Sequence, residues 1–273
     1  MTTLSIPVRA AAPAISVPWV RELALVTRRN LVVVFRTPIA LVPPILISLF
    51  FLVIYDSTLG GASAFIPGLG SNSYLGFILP LSIVSAALGG AGIAAQNVVR
   101  EIESGYFDKL LLTPVRRTTL ILGPILAGAL ILGFQASLIM IAGVLMGLDS
   151  ATGVLGLLTV AGLTVLIGTG FAGFTVSAAL ASGNAAATQG ASFLFFPLTF
   201  LAPTFVPLAL LDGWLSTAAN LNPITYVLVA MRGTINSGWD GTIIIQALIA
   251  CLLLGIAMYT LALFALRYRT SRK

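Results

Sequence analysis

Six apolar runs, each long enough to cross a bilayer, decide what this chain can fold into. They cover about Pro38 to Tyr55, Tyr74 to Val98, Thr119 to Met146, Thr152 to Leu180, Ala191 to Leu211 and Thr242 to Leu266. The shortest holds 18 residues, which at ~1.5 Å rise per residue reaches about 27 Å, close to the ~30 Å hydrocarbon thickness. Only 8% of the 273 residues are charged against 58% hydrophobic, too few to dress a water-soluble core. The expected fold is an all-α integral membrane protein with six transmembrane helices, one membrane-spanning domain over 1–273.

Basic residues set the orientation. Arg9, Arg21, Arg28, Arg29 and Arg36 precede the first run; Arg100, Lys109, Arg116 and Arg117 lie between the second and third; Arg267, Arg269, Arg272 and Lys273 follow the sixth. With six crossings these regions share one side, so 13 of the 14 Lys and Arg are together and Arg232 alone is opposite. The positive-inside rule then puts both termini in the cytoplasm. Topology and anionic lipid explain the net charge of +6, and no basic surface with aromatic platforms suggests a nucleic-acid partner. Met1 to Pro18 lacks an early basic region followed by a sufficient apolar stretch, so the first run is expected to stay in the mature chain. Cys251 is the single cysteine, which excludes intrachain disulfides and cysteine metal clusters. The bias of 12 Arg to 2 Lys, with abundant Ala, Gly, Leu and Val, fits a GC-rich coding genome and hence a bacterial plasma membrane.

Trp19 to Phe35 reads as an interfacial helix, 19–36 in all, begun after Pro18 and stopped by Pro38. At about 100° per residue, Arg21, Glu22, Arg28, Arg29 and Arg36 share an arc of about 120°, opposite Val20, Leu23, Leu31 and Val34. A plain topology anchor is the simpler alternative.

Between the second and third runs, residues 99–118 carry seven charges: Arg100, Glu101, Glu103, Asp108, Lys109, Arg116 and Arg117. Read as a helix from Arg100, this segment sets Ile102, Tyr106, Phe107, Leu110 and Leu111 on one half and Glu101, Ser104, Gly105 and Asp108 on the other, until Pro114 ends it. One face can rest on the membrane domain while the other offers acids to a partner. Glu103 falls in the apolar half and is predicted to pair with Arg100 or with a basic partner residue. A solvated loop that only holds the topology is the competing reading.

The fifth run differs from the others because Pro197, Pro203 and Pro207 interrupt it, and each proline removes a backbone hydrogen bond from a crossing helix. Residues 212–241, with Asn222-Pro223, are expected to form short helices that enter the outer leaflet and return. A kinked ordinary helix followed by a loop fits the periodicity equally well.

Two of these stretches carry a resemblance. The run Arg100-Glu101-x-Glu103-Ser104-Gly105-x-x-Asp108-x-Leu110-Leu111-x-Thr113-Pro114-Val115-x-Arg117 resembles the cytoplasmic motif of type-2 ABC export permeases, especially the daunorubicin-resistance group. Phe196-Pro197-x-x-Phe200-x-x-Pro203-x-Phe205-x-Pro207, followed by Asn222-Pro223-x-Thr225-Tyr226 and Arg232, is similar to the fifth span and external re-entrant segment of the same family. The likeness implies a half-transporter of six helices with a cytoplasmic coupling helix, paired with a second permease, identical or homologous, around a central path. It assigns coupling to Arg100, Glu101, Glu103, Gly105, Asp108, Leu110, Thr113, Pro114 and Arg117, with Tyr106, Phe107 and Lys109 as weaker matches. It assigns the external motif to Pro203, Pro207, Asn222, Pro223, Tyr226 and Arg232.

No G-x-x-x-x-G-K-S/T loop occurs, and neither Lys109 nor Lys273 follows a glycine-rich turn, so any ATP must be hydrolysed by another chain; the resemblance implies a separate nucleotide-binding subunit, two copies per complex, holding ATP and Mg. The chain itself is expected to hold no cofactor or metal and to catalyse nothing. The absence of His, and of any Asp, Glu, Lys or Arg inside the six runs, argues against an ion-coupled secondary carrier and against intramembrane catalysis. A non-transporting anchor for an ATPase would need the same coupling motif. Polar groups within the runs are mostly helix-packing residues, with Gln135, Phe195, Phe196 and Phe200 as candidates for the path. A route walled by phenylalanine suits a hydrophobic drug, metabolite or lipid, and a lipid-linked glycan is the alternative cargo.

Overall fold

The structure, a computed structural model, describes residues 18–60, 74–204, 208 and 211–271. The described residues form eleven α-helices and no strand: α1 (Trp19–Phe35), α2 (Val42–Leu59), α3 (Tyr74–Glu103), α4 (Tyr106–Leu111), α5 (Arg117–Leu145), α6 (Gly153–Ser182), α7 (Ala185–Phe193), α8 (Phe195–Leu201), α9 (Gly213–Leu221), α10 (Pro223–Asn236) and α11 (Gly241–Ser271). Five stretches are long and apolar enough to cross a membrane: Pro38–Thr58, Tyr74–Glu103, Arg117–Leu145, Gly153–Ser182 and Gly241–Ser271. All-helical architecture meets the demand of an apolar environment, because a helix pairs each backbone N–H and C=O within its own segment.

The fifth run is where expectation and structure part. Instead of one crossing from Ala191 to Leu211, the chain builds α7 and α8, two short helices meeting at Leu194. Asn184 starts α7 by accepting the Ala187 N–H on its side chain at 3.0 Å, so the element begins six residues earlier than hydropathy suggests. Phe205 and Pro207 of the external motif lie outside the described residues.

Helix α6 is the hub, packing on α3, α5, α7, α10 and α11. Its approach to α11 depends on small residues: a Cβ on Gly173 would meet the Cβ of Met258 at 3.0 Å and its backbone carbon at 3.4 Å, the close approach that membrane helices use to gain dispersion contact. One large core cluster joins α3, α5, α6 and α10; a second gathers Val98, Val99, Phe107, Ile121, Val176 and Leu266 at the end carrying α4. Helix α1 packs along α5 and also touches α3. It buries Thr27, Asn30 and Val34 and exposes Arg21 and Arg28. The predicted arcs are thus shifted, since Val20 is exposed while Arg29 turns toward the bundle.

Candidate coupling site and apolar cleft

At the end of α3 the charged segment does not continue as one helix. Ser104 and Gly105 break it, with Gly105 at φ +69°, a left-handed conformation that costs an L side chain about 1–2 kcal/mol. The chain restarts as α4, and a Cβ at Gly105 would meet no atom within 4 Å, so the requirement for glycine is conformational rather than steric. Helix α4 ends with Leu112 and Thr113 donating their backbone N–H to Lys109 and Leu110, and the Thr113 hydroxyl donates to the Leu110 carbonyl at 2.6 Å.

Phe107 seats α4. It is 2% exposed, within the cluster of Val98, Val99, Ile121 and Leu180. The apolar half of the predicted helix contained it, but the family motif did not single it out. On the opposite side Arg100, Glu103, Thr113, Pro114 and Arg117 are exposed, Glu101, Gly105, Asp108 and Leu110 are half-buried, and Leu112 projects at 88% exposure. Glu103 makes no ion pair with Arg100. The break at Gly105 leaves its carboxylate in solvent, which removes the burial cost that the pairing was meant to offset.

Helix α1 is fastened to this end at two points. Arg29 Nη2 meets Glu101 Oε1 at 2.6 Å, and its guanidinium carbon stands 5.6 Å from the centre of the Tyr106 ring. The Glu22 carboxylate accepts the Arg116 backbone N–H at 2.6 Å, satisfying a free donor at the start of α5. Glu101 at the end of α3 and the start of α5 are therefore both tied to α1. Periodicity could not show this, because the partners are 72 and 94 residues apart in the chain.

A second feature is a cleft of about 230 Å³ between α2, α3, α7 and α8. Phe51, Tyr55, Phe193, Phe196 and Phe200 line it, with Ser85, Gln189, Ser192 and Thr199 supplying scattered polar atoms. Of the residues expected to line the path, Phe196 and Phe200 are here and Phe195 and Gln135 are not. Phe195 turns to the opposite side of α8 and packs against Phe171 and Phe174, with ring centres at 4.5 and 5.0 Å. Gln135 is fully buried against Gly90.

At the remaining end of the bundle, Arg232 on α10 is buried. Its Nε donates to the Phe77 carbonyl at 2.9 Å, Nη2 to Thr204 at 2.6 Å and Nη1 to Pro203, while the guanidinium lies 3.6 Å from the Phe77 ring centre. Asn222 precedes Pro223 as the cap of α10, accepting the Ile224 N–H at 3.0 Å and donating to the Leu198 carbonyl. The Tyr226 hydroxyl donates to Asn220 at 2.8 Å. Arg232, Asn222 and Tyr226 thus give donors to carbonyls at and just past the end of α8 (Leu198, Pro203 and Thr204) and to Phe77 of α3 and Asn220 of α9, tying α10 to each.

The sequence model described as ABC-2 type transporter matches residues 21–236. The chain belongs to the ABC-2 type transporter family. It is 27% identical over 216 residues to the probable doxorubicin resistance ABC transporter permease protein DrrC of Mycobacterium tuberculosis, covering 79% of this chain and 77% of the relative. It is also 27% identical over 198 residues to the daunorubicin resistance ABC transporter permease protein DrrB1 of Streptomyces coeruleorubidus, covering 71% and 68%. As an ABC-2 permease it is a multi-pass membrane transport subunit, and the resemblance read from its two motifs agrees with this placement.

Proposed function

We propose that this ABC-2 permease forms the transmembrane half of an ATP-driven exporter for a hydrophobic or amphipathic drug, metabolite or lipid. The observation that carries the reading is α4. It is a short helix seated on the bundle by Phe107, tethered to α1 through the Arg29–Glu101 pair, with an exposed Leu112-Thr113-Pro114 tip. Such a helix can pass the motion of a nucleotide-binding subunit to α1, α3 and α5 together. Two ATPase copies and a second permease complete the assembly. Both termini face the cytoplasm, α7 and α8 supply the sixth crossing, and residues 212–241 form the external re-entrant segment. The apolar cleft beside α2 and α8 is the expected cargo route, and its phenyl walls suit a lipophilic guest better than a hydrated ion. Buried Arg232 does not revive a proton-coupled carrier, since three carbonyls and a ring hold it as a fixed structural cation.

Affinity purification of this chain from native membranes in mild detergent tests the reading directly. A stoichiometric P-loop subunit that turns over ATP, with cargo-dependent stimulation, is the expected result. A chain that purifies alone, stable and without ATPase, would leave α4 with nothing to couple to and overturn the proposal.

A further inference from the structure

A pocket of about 190 Å³ opens between α1, α3 and α4, separate from the apolar cleft. Asn97, Arg100 and Glu101 of α3 and Ser104 of the turn after it line it, facing Asn30 of α1 and Tyr106 of α4. Three observations mark it as a built anion site. Arg100 is exposed on the pocket wall, and its guanidinium has no hydrogen-bond or ion-pair partner among the described residues. The one acid of the wall, Glu101, is already neutralised by Arg29 at 2.6 Å, so the pocket carries one uncompensated positive charge. Asn97 lines the pocket, is only 7% exposed, and has a buried Nδ2 with no partner among the described residues, so its amide is not committed to another contact. In the other amide orientation Oδ1 takes the buried position and Nδ2 becomes the group that can donate toward the pocket.

We propose that this pocket binds the phosphate group of an anionic phospholipid from the cytoplasmic leaflet. Arg100 supplies paired N–H donors that match two phosphate oxygens, and Asn97 adds a third. The Ser104 hydroxyl, which now donates to the Glu101 carbonyl at 3.2 Å, can turn to add a fourth. The rim favours a lipid over a soluble anion: Val33 lines the pocket and is 41% exposed, an apolar wall on the α1 side against which an acyl chain can start. An ATPase side chain is the poorer occupant, since the exposed Leu112-Thr113-Pro114 tip offers that subunit a contact elsewhere. The inference needs α1 to lie in the membrane surface, and it does not depend on what the permease exports.

Lipid-stripped full-length protein in detergent, titrated with short-chain phosphatidylglycerol, phosphatidylcholine and inorganic phosphate, tests it through binding alone. Phosphatidylglycerol should bind at least about tenfold more tightly than phosphatidylcholine. Arg100→Gln and Asn97→Leu should each weaken it about tenfold, and Arg100→Lys should keep only part of the affinity because an ammonium cannot make the paired contact, with thermal melting unchanged for the Arg100 variants. Equal affinities for the two lipids, or indifference to Arg100→Gln, would overturn the proposal. Inorganic phosphate binding as tightly as phosphatidylglycerol would assign the pocket to a free anion and remove the lipid. A photo-crosslinker at Val33 should label lipid in native membranes, and labelling of an ATPase subunit in its place would also reject the idea.

Discussion

At the scale of single residues, the two buried or half-buried arginines do different work. Arg29 and Glu101 keep 31% and 19% of their side-chain surface exposed, so water screens the pair and its worth to stability is about 1 kcal/mol or less. Its value is positional. Glu101→Ala and Arg29→Ala should each lower cargo-stimulated ATP turnover several-fold with little loss of thermal stability, and the charge-exchanged Arg29→Glu/Glu101→Arg double variant should recover much of it. An unchanged rate in both single variants would remove Glu101 from the coupling assignment. Arg232 is the opposite case, because three backbone carbonyls depend on it. Arg232→Ala takes the shared donor from all three, and should cost about 3 kcal/mol or more, read as a large drop in melting temperature in detergent. Arg232→Lys should recover only part, since an ammonium cannot span the same fork of acceptors.

At the scale of elements, α4 exists because Gly105 permits a turn that other residues resist and because Phe107 finds a seat. Gly105→Val places a β-branched residue at φ +69°, costing about 1–2 kcal/mol, and should bias the chain toward extending α3 past the break. The expected readout is lost coupling in a protein that still inserts and purifies. Phe107→Ala empties a site within the second core cluster and should cost about 3–4 kcal/mol, with α4 becoming protease-sensitive. The sequence showed the charged segment, its apolar half and its proline stop. It could not show the helix break, because one glycine among favourable helix formers is compatible with either outcome until the packing of Phe107 selects one. The α7–α8 pair was legible as an interruption from its prolines, while its early start at Asn184 depends on a side-chain cap in a stretch with little hydropathy signal.

At the scale of the whole molecule, the long helices were legible because hydropathy over 18 or more residues is a strong and local signal. The ties between α1 and the ends of α3 and α5 were not, because they join residues with no shared periodicity. Orientation is open to a direct experiment: a thiol introduced near Lys109 should react with an impermeant maleimide only from the cytoplasmic side of sealed vesicles, and one at Trp239 only from the other. Reaction of both from one side would contradict an arrangement with six crossings. Such labelling is unusually clean here. Cys251, the one native thiol, is 3% exposed within α11, so the wild-type protein is already close to a blank background, and each engineered cysteine becomes a single-channel reporter without the compensating mutations that a thiol-rich transporter requires.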